Sequence, residues 1–199
     1  MPAVHRLAAG AVRAIVVDEF GSPEQLRVAE VPPPRPGVGE VLVRVHAAPV
    51  NYVDLLVVGG TYQFLPQRPF IPGKGPAGEV TALGRDVTAL CVGDRVLAMA
   101  EQGGYAEAVA VRADQCYRLP LRMSFLEAAS ASLVYDTAWF ALRERARLVP
   151  GETVLVLGRR RAASAERPCN WPARWGRSCS QASRGRKGMP WCMQPAPTP

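Results

Sequence analysis

The chain has 199 residues, with 24 Lys and Arg against 17 Asp and Glu, a net charge of +7 that conceals two unlike parts. Residues 159–199 hold nine of the 24 basic residues and one acid, Glu166, whereas residues 1–158 hold 15 bases and 16 acids, a net of −1. The body is therefore a near-neutral globular sequence, and no apolar run approaches the ~18 residues that would exclude anything but a membrane-spanning helix.

The N-terminal MPAVHRLAAGAVRAIVV is interrupted by Arg6 and Arg13 and makes a poor signal peptide, so residues 1–11 read as a leader. VRAIVVDEF (12–20) and LRVAEV (26–31) are strand-like, broken by Gly21-Ser22-Pro23. PPPRPGVGE (32–40) is a loop. VLVRVHAA (41–48) alternates, with Val41, Val43 and Val45 on one face and Leu42, Arg44 and His46 on the other. NYVDLLVVGG (51–60) predicts a short helix with Asn51 as N-cap and Gly59 as its stop. AGEVTALG, VGDRVLAM and GGYAEAVAV are further short strands, and this spacing predicts a β-barrel or sandwich. SFLEAASASL carries a capping box at Ser124 and Glu127, DTAWFALRERARL (136–148) reads as a second helix capped by Asp136, and PGETVLVLG as a turn and an apolar strand. A barrel followed by helices and a strand indicates a β domain joined to the start of an α/β domain. Cys91 and Cys116, the only cysteines of the body, suggest free thiols in a reducing cytoplasm.

PEQLRVAEVPPPRPGVGEVLVRVHAAPVNYVDLLVVGGTY, GGYAEAVAVRADQCYRLP and AASASLVYDTAWFALRERARLVPGETVLVLG, in this order, resemble the medium-chain dehydrogenase/reductase superfamily in its zinc-free quinone oxidoreductase branch. The resemblance covers residues 12–158. Zinc alcohol dehydrogenases are similar, but carry Cys where this chain has Asn51, and His-Glu where it has Lys74-Gly75. Asn and Lys cannot complete a tetrahedral zinc set, so no metal site is expected. The zinc-free relatives keep an acid near Gly75, a departure in this chain. The resemblance implies a GroES-like barrel over 12–122 and, over 123–158, helices and the first strand of an incomplete Rossmann domain. It also implies NADPH as cofactor, a quinone or activated enone as small-molecule partner, and a family habit of homodimers whose interface is expected to be missing from this chain.

The resemblance further implies that Val50, Asn51, Tyr52, Thr137 and Gly158 contact the cofactor, with Tyr52 and Asn51 also facing the acceptor. Each has a plainer reading. Asn51 caps a helix, Tyr52 packs as an aromatic and Thr137 is an early helix residue. Tyr-Asp precedes Thr137 where the relatives have Gly-Leu. Lys74 reads as a solvated loop charge. Arg44, Arg143, Arg145 and Arg147 read as exposed, His46 as a surface strand residue and His5 as a terminal one.

A glycine-rich turn should follow strand 153–157, because backbone N–H groups there approach the cofactor pyrophosphate. RRRAASAERP stands in its place. In the frame that joins the last base of each codon to the first two of the next, Asn170-Trp171 forces Leu, Trp171-Pro172 forces Ala and Trp175-Gly176 forces Gly. Permitted codons elsewhere yield AAAGGVGGAALQLARALG from the Gly158/Arg159 junction, a glycine-rich turn and an amphipathic helix. Residues 159–199 thus read as an out-of-frame, disordered tail, and strand 153–157 as one without sheet neighbours. A basic nucleic-acid-binding tail is the alternative, but such tails are Lys-rich, and this one has one Lys and three Trp. No nucleic-acid partner is expected.

The expected function is NADPH-dependent hydride transfer to a quinone or enone, truncated and inactive as written. A non-catalytic barrel module is the alternative of another class, and an enoyl reductase a third reading.

Overall fold

The structure, a computed structural model, describes residues 10–149, 152–157, 178–183 and 192–195. The chain divides into two compact units, residues 1–132 and 133–199.

In the first unit β1 (Val12–Val16) and β2 (Arg27–Val31) form an antiparallel pair in which Val12 faces Val31 and Val16 faces Arg27. A 3-10 turn at Pro23–Gln25, capped by Ser22, joins them. β3 (Glu40–Ala47), β4 (Ala77–Leu83), β5 (Arg95–Ala98), β6 (Ala108–Arg112) and β7 (Cys116–Arg118) build a five-stranded antiparallel sheet in the order β6-β3-β4-β5-β7. Isolated bridges tie β1 to the rest at Ala14–Ala106 and Val17–Phe70. This is the β-rich first domain expected. The alternation of β3 holds: Val41 and Val43 are fully buried, with Val80, Val96, Val109 and Val111 in the same cluster. Their opposite neighbours Leu42 and Arg44 are only partly covered, the side-chain period of two at work.

α1 (Tyr52–Val58) lies between β3 and β4 in sequence and buries Asp54, Val57 and Val58, the i, i+3, i+4 spacing of one helical face. Gly59 is its C-cap as expected, and the left-handed residue is Gly60, with φ +71°. Val57 and Val58 pack with Val17 and Phe70.

The helical region differs from expectation. Ser124 N–H and hydroxyl both donate to Glu127 Oε2 at 2.8 Å, and Glu127 N–H donates back to Ser124 Oγ at 3.2 Å, so the capping box forms. The helix it opens, α2 (Phe125–Trp139), runs through Asp136 without a break and continues as a π-helix over Phe140–Arg145. Asp136 therefore caps nothing. No Gly or Pro stands between 125 and 145 to stop the helix, and a residue with capping propensity does not terminate a helix by itself.

In the second unit β8 (Thr153–Leu157) pairs in parallel with β9 (Ser178–Ser183), and β10 (Cys192–Pro195) runs antiparallel to β9. β8 is thus not alone: Thr153 faces Ser178 and Leu157 faces Ala182. Parallel pairing after a crossover is the way an α/β sheet grows. The rest of 159–199, for which disorder is expected, lies outside the described residues.

Candidate functional site

Three loops meet beside α1. Backbone bonds from Gly103 to Ile71 (2.8 Å), Gly104 to Gly73 (3.0 Å) and Tyr105 to Pro72 (2.9 Å) lace segment 71–73 to 103–105. Gly75 N–H donates to Ala100 carbonyl at 3.2 Å. Glycine is required at 73: φ is +98°, and a Cβ there would stand 2.7 Å from Tyr105 backbone nitrogen. The lacing sets Lys74 beside Glu101 and Tyr105 beside α1.

Asp54, 4 % exposed, is the centre of the α1 end of this arrangement. Its Oδ2 accepts from Asn51 N–H at 2.8 Å, the acidic half of a capping box, and from Tyr105 hydroxyl at 2.9 Å. The hydroxyl also lies 3.2 Å from Pro49 carbonyl. Burial, and then the Asp54 carboxylate, push the Tyr105 phenol well above its ordinary pKa, so it stays a neutral donor. Asn51 is the N-cap, as expected, with its backbone extended. Its side-chain nitrogen Nδ2 is enclosed and has no hydrogen-bond partner among the described residues.

Lys74 is not the solvated charge expected. It is 9 % exposed, ion-paired with Glu101, with Nζ 5.8 Å from the Tyr62 ring centroid. A cavity of about 460 Å³ opens here, walled by Val57, Tyr62, Phe64, Phe70, Lys74 and Glu101, with Asp54 also on its surface. Arg44 likewise is not simply exposed: it pairs with Glu79 at 2.8 Å and its Nε is enclosed. His46 is exposed at its strand position but stacks on Phe125 at 4.4 Å. Burial, then Arg44, lower its pKa. In the body, Cys91 is exposed and Cys116 half-buried, and both are free thiols.

Val50, Asn51 and Tyr52 stand together at the start of α1. Val50 is 81 % and Tyr52 75 % exposed, so Tyr52 is not a packing aromatic among the described residues. Val50 borders a second, apolar cavity of about 670 Å³ that also touches Asp54 and Tyr105. Thr137 belongs to the second unit, where its hydroxyl donates to Leu133 carbonyl at 2.8 Å, one turn back along α2. Gly158 lies outside the described residues. Sequence reasoning missed Asp54, Tyr62, Glu101 and Tyr105. Asp54 was findable, three residues after a predicted N-cap. Glu101 and Tyr105 arrive from 27 and 51 residues away through the loop lacing and leave no local signal, and Tyr62, close after α1, carries nothing that marks it as a wall residue.

The described residues contain no group of three His, Cys, Asp or Glu able to hold a metal ion, and no helix long and apolar enough to cross a membrane.

The antiparallel sheets, α1 and the laced loops define an alcohol dehydrogenase GroES-like domain, whose family model matches residues 37–121. Human quinone oxidoreductase is 38% identical over 149 residues, 74% of this chain and 45% of its own length. The human synaptic vesicle membrane protein VAT-1 homolog-like protein superposes with a TM-score of 0.81 at 32% identity, covering 86% of this chain and 55% of that one. A mycobacterial protein crystallised with NADPH superposes with a TM-score of 0.75 at 33% identity, covering 85% and 52%. Residues 37–121 of this chain thus carry the alcohol dehydrogenase GroES-like domain, and about three quarters of the chain is similar to quinone oxidoreductases, as the resemblance to the zinc-free branch of the medium-chain dehydrogenase/reductase superfamily implies. The chain spans about half the length of the relatives it matches.

Proposed function

We propose that the chain carries the acceptor-binding half of an NADPH-dependent quinone or enone reductase, and that hydride transfer is lost in the sequence as it stands. The observation that carries this reading is the enclosed Asn51 Nδ2 at the start of α1, which has no partner among the described residues. A buried donor without a partner is costly and marks a place where a ligand group completes the bonding. Val50, Asn51 and Tyr52 would face the nicotinamide end, as the resemblance implies.

The fit to NADPH is one-sided. When bound, NADPH would supply a hydride for an electron-poor carbon of the acceptor. The residues at the start of α1 suit its amide-bearing end. The junction after Leu157 does not suit the pyrophosphate, because Arg159, Arg160 and Arg161 stand where unhindered backbone N–H groups are needed. No reaction step is therefore assigned to this chain. What its own residues do is narrower: the cavity beside α1 takes the acceptor, Tyr62 and the buried Phe70 line it, and Tyr105 and Asp54 hold α1 in place.

NADPH oxidation with a simple quinone tests the reading, comparing the chain with a form in which the reading frame is restored at Gly158. Turnover only in the restored form is expected. Equal turnover in both would show that residues 159–199 build a cofactor site, and no turnover in either would remove the reductase reading.

A further inference from the structure

The cavity beside α1 is walled by a charge that the family resemblance does not account for. Lys74 occupies a position where zinc-dependent relatives carry a metal ligand, yet it is buried and its Nζ is ion-paired with Glu101. The pair is asymmetric: the Lys74 side chain is 11% exposed and that of Glu101 83%. Gly73 and Gly75, at φ +98° and +62°, hold the loop on either side of Lys74. An enclosed ammonium requires a partner, because an uncompensated buried charge is strongly unfavourable. A water-facing carboxylate has no such need: released, it is solvated at once and regains its rotamer freedom. Lys74 is thus a fixed cation with an exchangeable counterion. Apart from Gln102, the rest of the wall is mostly aromatic and apolar, from Tyr62, Phe70 and Val57 with the exposed Phe64 at its edge.

Asp54 shares this cavity, but its Oδ2 is engaged by Tyr105 hydroxyl and Asn51 N–H. Lys74 already accommodates one carboxylate with Asp54 present. An anion that replaces Glu101 leaves the charge count of the cavity unchanged.

We propose that this cavity binds a small aromatic carboxylate, its ring against Tyr62, Phe64 and Phe70 and its carboxylate displacing Glu101 from Lys74. The inference rests on the acceptor-pocket reading and deepens it, naming an anionic aromatic compound where the names of the quinone oxidoreductase relatives give only the quinone class.

Isothermal titration of the full chain with benzoate, and with benzamide as its neutral counterpart, tests it. Benzoate should bind at least tenfold more tightly than benzamide. Lys74→Met should abolish that difference and Lys74→Arg retain it. Glu101→Gln, which removes the competitor, should tighten benzoate severalfold and leave benzamide unchanged. If Lys74→Met does not fold, the wild type and Glu101→Gln decide. Equal affinities in the wild type, or a benzoate affinity that Glu101→Gln leaves unchanged or weakens, overturns the proposal. Benzamide binding without a benzoate preference overturns this inference alone and leaves the acceptor pocket standing. Failure of both ligands to bind overturns the two together.

Discussion

Tyr105 and Asp54, 51 residues apart in sequence, are joined by a 2.9 Å hydrogen bond from the phenol to the buried carboxylate. The bond couples the loop after β5 to the first turn of α1. Tyr105→Phe leaves Asp54 Oδ2 with the Asn51 N–H as its donor. It should cost about 1–3 kcal/mol of stability, the range for depriving a buried polar group of a partner, read as a shift of the urea midpoint at unchanged slope. The phenol also ties stability to alkaline pH. Its folded pKa is raised, so its contribution is complete below the ordinary value of 10.0 and is lost as pH climbs above it. Tyr105→Phe should lack that part of the alkaline loss.

Gly73→Ala should be more damaging than its size suggests. The residue sits at φ +98° with Tyr105 backbone nitrogen 2.7 Å from the added methyl. Left-handed strain and overpacking together should cost about 3 kcal/mol. Thermal denaturation checks this, and Gly39→Ala is the control, with φ +73° and nothing within 4 Å of the added carbon. Equal losses at the two positions would mean that strain alone matters.

Cys116 should be the slower of the two body thiols toward iodoacetamide at pH 8. Burial, and then Asp114, push its pKa up to about 11, whereas Cys91 is exposed. The raised value means that its stability contribution is complete below 9.0 and declines from there through about 11. Cys116→Ala should therefore gain on the wild type as pH rises from 8 to 10.5, measured by urea unfolding at each pH.

Ser124→Ala should remove the cap of α2 at a cost of about 1 kcal/mol. Hydrogen bonds from Ser124 backbone and hydroxyl hold the Glu127 carboxyl below its ordinary value of 4.5. That contribution is present above 4.5 and disappears as pH falls through the lowered value. The difference between wild type and Ser124→Ala should accordingly shrink in acid, in denaturation curves between pH 7 and 3.

The sequence by itself determined what is set within a few residues. The caps at Asn51, Gly59 and Ser124–Glu127 were legible, because each depends on one side chain and the backbone three or four positions on. So was the inward row of Val41 and Val43, because a strand's side chains alternate whatever it pairs with. The order of these segments also marked the family. What tertiary structure decided is where charges and helices end up when distant segments meet. Lys74 looked solvated because its local sequence is a glycine-rich loop; it is buried because the backbone lacing of 71–75 to 100–105 carries it against Glu101. Asp136 looked like a cap, yet α2 runs straight past it to Trp139. β8 looked solitary, and its parallel partner β9 comes from a segment whose composition gave no sign of a strand. Capping and alternation depend on near neighbours and can be read along the chain. Burial of a charge and strand partnership are properties of residues far apart in sequence, and only the folded chain brings them together.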